Sequence, residues 1–544
     1  MNKKITTILL AAITILGFLL RVYKVAEVPM YGDELTLAQD AYSILRTGKD
    51  QTGESFPLTF SMRGGSPPGY VYLSIPRVWI FGPTELGVRA ASIASGVAII
   101  LLMYLLGRKL FSSDVGIFAA FLSAVSPWGI NLSRGGFETN AALFFTLAGV
   151  VLFLYSKKRY WFWILGALSF SLAIFTYSTF KLLIPLLLPF LYWYLGGTKF
   201  FFSRKTIGYL IPTLVVFLFF AGLLLSQVFS NNSERRFLSA NIFSQVSLKE
   251  ALVQKINFER SIDTLGTRSV IFHNKFVEYF NVLKDNYLNH YSLSYLFLKG
   301  DGNPRHNMTQ TGEFYFAELA LLLAAIVYFA KKIGYSKELL LLLGWILISP
   351  LASALLGGPH ALRSSFMLPP FLIINSVGGV YLIKSAINKK GRLSLYLILA
   401  VFLIQFVFLV EKLYFVSPNK FANFWSYPAK KASEIVIEKR ANYDFLILSH
   451  SIDNIEYAYP VYAKVDPQEV IDQNIQKSDL AGFSMKKFGN VYTGDLSTED
   501  LNKLRNRLKG KILYVGPYDL KDQPEGKYNT LYSLDKTPAL IVFE

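Results

Sequence analysis

The stretch VYKVAEVPMYGDELTLAQDAY, Val22 to Tyr42, decides how this chain is read. It follows directly on an apolar run, Ile5 to Leu20, that Lys3 and Lys4 precede. Two adjacent carboxylates, Asp33 and Glu34, therefore stand at the mouth of a hydrophobic span, where desolvation makes charge costly. Pro29 and Gly32 interrupt the backbone just before them, and Leu35 to Leu45 resumes a helix-like pattern with Asp33 near its start. One reading is capping, since acids at a helix N-terminus satisfy free N–H groups and complement the dipole. The other is chemistry, and the rest of the chain has to choose between them.

Of the 544 residues, 52% are hydrophobic and only 17% charged, against about a quarter charged in soluble domains. The apolar excess lies in long blocks, which makes this a polytopic membrane protein. A net charge of +18 invites a nucleic-acid reading, but the basic residues cluster between hydrophobic spans, where orientation in a membrane explains them. No nucleic-acid partner is expected. Without cysteine there is no disulfide and no thiolate metal site. No small-residue cleavage signal follows the first span, so Ile5 to Leu20 reads as a retained anchor.

With about 20 apolar residues needed per crossing, the blocks give about eleven transmembrane helices. After the first come Leu86 to Leu106, Asp114 to Val125, Ala141 to Tyr155, Trp161 to Thr176, Leu182 to Leu195 and Ile207 to Val228. Ala317 to Ala330, Leu339 to Leu356, Phe366 to Ile383 and Leu393 to Val410 complete the set. Every loop that an inward N-terminus would place inside carries Lys or Arg, from Arg108-Lys109 to Lys389-Lys390. That pattern satisfies the positive-inside rule and puts residues 22–85, 128–140 and 229–316 outside, with the C-terminal region. The membrane part is thus expected over 1–416. From about Ser417 the composition is that of a soluble domain. YDFLILSH, KILYVGP and ALIVFE are apolar runs of strand length, and Ala429 to Lys439 and Thr498 to Lys509 read as helices. A small extracytoplasmic α/β domain over 417–544 fits.

No P-loop, dinucleotide turn, zinc-protease helix or nucleophile elbow is present, which argues against an ATP-driven pump or a soluble-type hydrolase. Polar residues gather instead on the outward face. GSPPGYVYL (Gly65 to Leu73) has Pro67-Pro68 setting an extended turn before an aromatic helix. LSRGGFETN (Leu132 to Asn140) offers Arg134 and Glu138, which on one helix would be an ordinary i,i+4 pair. TYSTFKLLIP (Thr176 to Pro185) holds Tyr177 and Lys181, and Lys181 on its own could simply snorkel. KGDGNPRHNMTQTGEFYF (Lys299 to Phe316) gathers Asp301, Arg305, His306 and Glu313, and GGPHALRSSFMLPP (Gly357 to Pro370) adds His360 and Arg363. Each alone has a bland explanation. Together they set carboxylates against cations at one membrane face, which is what moving a group off a phosphate ester needs: a base for the acceptor's proton, and positive charge for the leaving phosphate.

In these residues the chain resembles the GT-C-fold glycosyltransferases, in particular glycosyltransferase family 39 and the protein-mannosyltransferase and aminoarabinose-transferase group. The likeness covers roughly Ile5 to Val410. Its most specific element is Asp33-Glu34 after a single span, followed by TYSTFKLLIP, GDGNPRHN to Gly312, and HALRSSFMLPP. The resemblance implies sugar transfer with inversion from a polyprenyl-phosphate carrier on the extracytoplasmic face of the plasma membrane. It implies that Asp33 is the general base and that Glu34 supports it. Lipid-A-modifying members can bind a divalent metal while mannosyl members are regarded as metal-independent, and the sequence leaves both open. The outer loop 229–316 shows no β-trefoil-like insert, which departs from protein mannosyltransferases.

The reading is an inverting hexosyl or pentosyl transferase acting on a lipid, glycan or protein acceptor among membrane lipids. Asp33 and Glu34 are its catalytic candidates, and Lys181, Arg305, His306 and Arg363 its donor-phosphate ligands. Tyr177, Arg134, Glu138, Asp301 and His360 are further site candidates. The alternative is a transporter or lipid-linked glycan flippase, which would favour internal repeats and mid-span charges; neither is seen. An inactive relative serving as a scaffold is a third, weakened by the retention of both acids.

Overall fold

The computed structural model describes residues 3–229, 241–332, 337–386, 389–518 and 528–544. All eleven expected spans lie on helices. Among the described residues seven helices are long and apolar enough to cross a membrane: Lys3–Glu27, Glu85–Leu110, Glu138–Tyr155, Ile207–Ser226, Lys337–Leu356, Ser365–Ser385 and Lys389–Lys420. Phe162–Thr176 and Phe180–Leu195 are shorter apolar helices, and Phe316–Lys331 carries Glu318 within it. The chain is a multi-pass membrane protein.

The third expected span is different. Ser113–Val125 is followed at a 53° bend by Pro127–Arg134, so the outer segment expected from Trp128 is a helix, and all of its residues are buried. The cause is local. The residue before a proline is pushed out of the helical region, and Ser126 is non-helical at φ −55°, ψ 127° while its hydroxyl caps the new helix at Gly129 N. The carbonyls freed at the break go to Arg21, whose guanidinium donates to Ser123 O at 3.0 Å and Ala124 O at 2.9 Å. A cation at a helix C-terminus also complements its dipole.

The chain divides into two compact units. The first holds Met1–Arg21, Gly64–Gly69 and Ser92–Leu409, which is most of the helical membrane part. In it helix packing depends on small residues that let backbones meet: a Cβ at Gly378 would come within 1.9 Å of Leu321 O. The segment after Ile207–Phe229 carries two helices, Val246–Ile262 and Lys275–Asn289, and no strand among its described residues. Residues 230–240 of that expected loop lie outside the described residues.

The second unit joins Val22–Arg63, Tyr70–Ala91 and Val410–Glu544. Its sheet is the expected α/β domain. Strands β1 (Phe445–Ser449), β2 (Ser478–Leu480), β3 (Phe483–Phe488), β4 (Val491–Gly494), β5 (Ile512–Pro517), β6 (Tyr528–Tyr532) and β7 (Pro538–Phe543) run in the order β2-β3-β4-β1-β5-β7-β6. β4-β1-β5 is parallel and the flanks are antiparallel. The three apolar runs singled out in the sequence are β1, β5 and β7. The helix Thr498–Arg507 is capped by Ser497, as its composition predicts. The segment after the first span folds onto this domain: the helix Gly32–Thr47 packs on Ile455–Tyr462 and Pro467–Ile475.

Candidate active site

The helix that carries the acidic pair starts at Gly32, with Tyr31 as an extended N-cap residue that makes no side-chain cap bond. Asp33 is exposed and forms no side-chain hydrogen bond or ion pair among the described residues. It does not cap the helix. Glu34, one residue on, is fully buried, and its two oxygens accept from Arg89 at 2.8 and 2.6 Å. The remaining N–H groups of Arg89 go to Val25 O and Val28 O, both at 2.7 Å, and to Pro29 O at 2.8 Å. All five guanidinium donors are thereby used. Trp425 lies across the guanidinium face at 5.2 Å. Glu34 therefore has no oxygen to offer a substrate without breaking this pair, and what it does is fix the turn that presents Asp33.

Three further contacts pin the same turn from the C-terminal domain. Met30 N donates to Tyr462 Oη at 3.2 Å, and that hydroxyl donates in turn to Glu85, which Lys430 also contacts at 2.8 Å. Asn454, at φ 64°, presses against Gly32 so closely that a Cβ there would lie 2.4 Å from Asn454 Oδ1. Gln51 donates to Asp40 at 2.9 Å on the buried face of the helix. Burial, offset in part by Arg63 and Gln51, pushes the Asp40 carboxyl up to about 7.

The cationic candidates belong to the first unit. The loop Lys299–Tyr315 is folded by its own polar groups: Asn307 Nδ2 donates to Lys299 O and Thr311 O, and Asp301 N donates to Glu313. Burial pushes the Glu313 carboxyl well up. Asp301 Oδ1 accepts from Asn303 N at 2.8 Å, and Oδ2 from Ala361 N at 2.7 Å and His306 Nδ1 at 3.0 Å. Burial would raise Asp301, but the bond from His306 and both nearby histidines hold it below the usual range. The His360 and His306 rings lie 4.4 Å apart at a tilt of 38°, and burial, with His306 and Arg363 nearby, pulls His360 down to about 3. Donor atoms of Asp301, His306 and His360 all lie within 4.8 Å of one another and form the one metal-competent group among the described residues.

Other polar segments of this unit converge on the turn around Arg363. Thr139 Oγ1 donates to Leu362 O and bonds Ser365 Oγ, Phe180 packs edge-on against Phe366, and Tyr295 Oη bonds Ser364 Oγ. The segments of Glu138, Lys181, Asp301 and Arg363 are thus brought together. Lys181 and Arg363 are half-buried and make no side-chain hydrogen bond or ion pair among the described residues. Arg305 is half-buried in the loop beside His306. Tyr177 ends the helix Phe162–Thr176 and packs on Phe180. Arg134 and Glu138 do not share a helix: the chain is non-helical from Gly135 to Phe137, and Arg134 is buried, donating to Arg21 O at 3.3 Å. The i,i+4 reading of that pair is wrong because two glycines separate the helices.

Arg89 was missed from sequence, although an arginine just inside an apolar span is a signal in itself. Asp40 left no such mark, because its burial beside Gln51 and Arg63 is a product of the fold and not of the local sequence.

The sequence model of the dolichyl-phosphate-mannose-protein mannosyltransferase family matches residues 66–226, which include Lys181 but neither Asp33 nor the Asp301 loop. No curated protein matches the chain in sequence. Among solved structures, ArnT from Cupriavidus metallidurans bound to undecaprenyl phosphate is similar, with TM-score 0.55 and 12% identity over 100% of this chain and 98% of that one. The apo state of that protein gives TM-score 0.53 and 12% identity, over 98% and 97%. The apo oligosaccharyltransferase of Archaeoglobus fulgidus gives TM-score 0.52 and 14% identity, over 95% of this chain and 70% of that one. At such identities the likeness is one of fold. The chain has the GT-C fold of these membrane glycosyltransferases, and the resemblance drawn from its outer motifs is borne out at that level.

Proposed function

We propose that this protein is an inverting glycosyltransferase that moves a sugar from a polyprenyl-phosphate donor to an acceptor hydroxyl on the extracytoplasmic face. The observation that carries the reading is the state of Asp33: an exposed carboxylate that makes no side-chain hydrogen bond or ion pair among the described residues, on a turn where Glu34 and Glu85 are both paired. It takes the acceptor's proton while the acceptor oxygen attacks the anomeric carbon. The bond from that carbon to the phosphate oxygen breaks, and the polyprenyl phosphate leaves with the electron pair. Lys181 and Arg363, cations with no hydrogen bond or ion pair among the described residues, receive the leaving phosphate together with Arg305 and His306. Glu34 acts through position, as the anchor of Arg89.

The donor tail has a match in the membrane part. An open apolar cavity of about 470 Å³ is lined by Phe297, Phe314, Phe316, Val401, Ile404 and Phe408. Thr311, Gly312, Phe314 and Tyr315 of the Lys299–Tyr315 loop are part of its wall, so a lipid lying there would touch that loop. The carrier seen in the Cupriavidus metallidurans structure, undecaprenyl phosphate, is of this kind. The inward clustering of Lys and Arg supports the outward site.

The test is a purified, reconstituted protein given a synthetic polyprenyl-phosphate sugar and extracted envelope lipids and glycans as acceptors. Release of free polyprenyl phosphate with an inverted linkage in the product is expected. Failure to consume any such donor, by a protein that binds the lipid phosphate, would contradict the reading.

A further inference from the structure

We propose that the tip of the helical hairpin between Val246 and Asn289 lies in the bilayer interface, with anionic phospholipid as its partner. The hairpin consists of the helix Val246–Ile262, the short turn Gly266–Ile271 and the helix Lys275–Asn289. Leu252 and Ile256 of its first helix are buried. The apolar residues where the two helices join are not. Phe258, Ile262, Ile271, Phe272, Phe276 and Phe280 are each more than half exposed, Phe276 to 81%. Large apolar side chains exposed together mark an interaction surface.

The base of the hairpin indicates which partner. Tyr287 Oη donates to Leu347 O at 2.8 Å and Tyr291 Oη to Ile346 O at 3.0 Å, both carbonyls of the apolar run Lys337–Leu356. Asn286 Nδ2 donates to Ala354 O and Ile242 N to Leu355 O. The hairpin is thus fastened to a membrane span near the end where the span stops, and tyrosines at that level are typical of the membrane–water interface. From Asn286 back to Phe276 the helix runs about 15 Å, at 1.5 Å per residue. Lying along the membrane surface, it carries the tip over lipid. The charges agree. The His273 ring lies between Glu259 and Asp263, 2.9 Å from each, and Glu278 is buried against Lys255 at 2.7 Å. The acids near the tip are therefore satisfied within the hairpin. Arg268 and Lys275 are exposed and make no side-chain hydrogen bond or ion pair among the described residues. Apolar residues at the acyl boundary with basic residues toward anionic head groups are the pattern of an interfacial helix. A two-fold dimer through the same tip would bring these cations toward their own copies, which like charge disfavours. None of this rests on the transferase reading.

The chain has no cysteine, so single cysteines can carry a nitroxide without competing thiols. Ile271→Cys and Phe276→Cys report on the tip, and Lys477→Cys, exposed in the C-terminal domain, is the aqueous reference. The full chain is reconstituted in phosphatidylcholine vesicles with and without phosphatidylglycerol, and collisions with oxygen and with a water-soluble nickel chelate are compared. Both tip labels are expected to meet oxygen and not nickel, at a depth of about 5–10 Å, while the reference label meets nickel. Phosphatidylglycerol is expected to deepen the tip, and Arg268→Gln/Lys275→Gln to abolish that difference. Phe258→Ser/Phe272→Ser/Phe280→Ser removes only exposed side chains and is expected to move the label at position 276 into nickel-accessible water. Tip labels as open to nickel as the reference would overturn the proposal. So would labels shielded from both reagents and broadened by dipolar coupling, the signature of a second copy. A depth indifferent to phosphatidylglycerol would overturn the anionic partner.

Discussion

The turn around Asp33 and the loops around Arg363 hold their charges in opposite ways. At the turn nearly every ionic group is paired: Glu34 with Arg89, and Glu85 with Lys430 and Tyr462, which leaves one carboxylate without a partner. Around Arg363 the loops are tied by Asp301 with its two histidines and by neutral groups, Thr139, Ser364, Ser365, Tyr295 and the Trp128 indole, and among the described residues the charges without a hydrogen bond or ion pair include the cations Lys181 and Arg363. Leaving the half-buried Lys181 and Arg363 unpaired costs stability, so that region keeps its charge for a ligand, while the exposed Asp33 carboxylate is open to one. The first suits a proton, the second an anion.

The strongest way to break the comparison is to remove the pairing at the turn. Arg89→Ala takes the bidentate partner from a buried carboxylate and a donor from three carbonyls, and breaking a buried pair from one side costs about 3–5 kcal/mol. A large fall in apparent melting temperature of the purified protein is expected, with transfer lost in whatever remains folded. The pair-for-pair replacement Arg89→Met with Glu34→Leu should recover much of the stability but not the activity. If Arg89→Ala melts like the native chain, the turn is not held by this pair.

At the other region, Lys181→Gln and Arg363→Gln should leave stability nearly unchanged, since neither cation makes a side-chain hydrogen bond or ion pair among the described residues. Each should raise the KM for donor by about 10–100-fold, equivalent to one charged hydrogen bond of about 1.5–3 kcal/mol. Titration with donor at fixed acceptor separates this from a fall in kcat alone, which would point to a different role.

A smaller effect distinguishes the buried face of the Asp33 helix. The folded Asp40 carboxyl, at about 7, lies above its unfolded value, so the native state holds the extra proton. Stability should therefore fall as pH rises from about 4 through 7, by up to a few kcal/mol. Asp40→Asn should flatten that slope and stabilise the protein at pH 8. A steeper slope in the variant would reverse the assignment.

The smallest effect concerns the clamp. Asn454 is in the left-handed region, which asparagine and glycine tolerate and alanine does not. Asn454→Ala should cost about 1–2 kcal/mol in thermal unfolding, and Asn454→Gly less. Equal melting for the two would remove backbone strain from the account.

The apolar blocks made the membrane helices legible, because a run long enough to span has few other uses, and β1, β5 and β7 were legible as bounded apolar runs. Asp33-Glu34 stood out through position alone. What sequence did not show is the division of labour between them, since the partner of Glu34 lies fifty-five residues away and has no local signature. It also missed the bend at Ser126-Pro127, although the Pro there gave the cue. The union of the first outer loop with the C-terminal domain depends on contacts such as Met30 with Tyr462, more than four hundred residues apart. Lys181 and Arg363 were visible as charges, but their lack of partners is a property of the fold.

The central claim is that Asp33 is the base, and Asp33→Asn tests it most directly. Asparagine keeps shape and hydrogen bonding, and Asp33 makes no cap bond that could be lost. The measurement is the rate of polyprenyl-phosphate release by reconstituted native and variant protein at saturating donor. The variant should insert, melt and bind donor like the native chain while turning over about 10²–10⁴-fold more slowly, the usual worth of a positioned base. A well-folded Asp33→Asn protein turning over at the native rate would contradict the account.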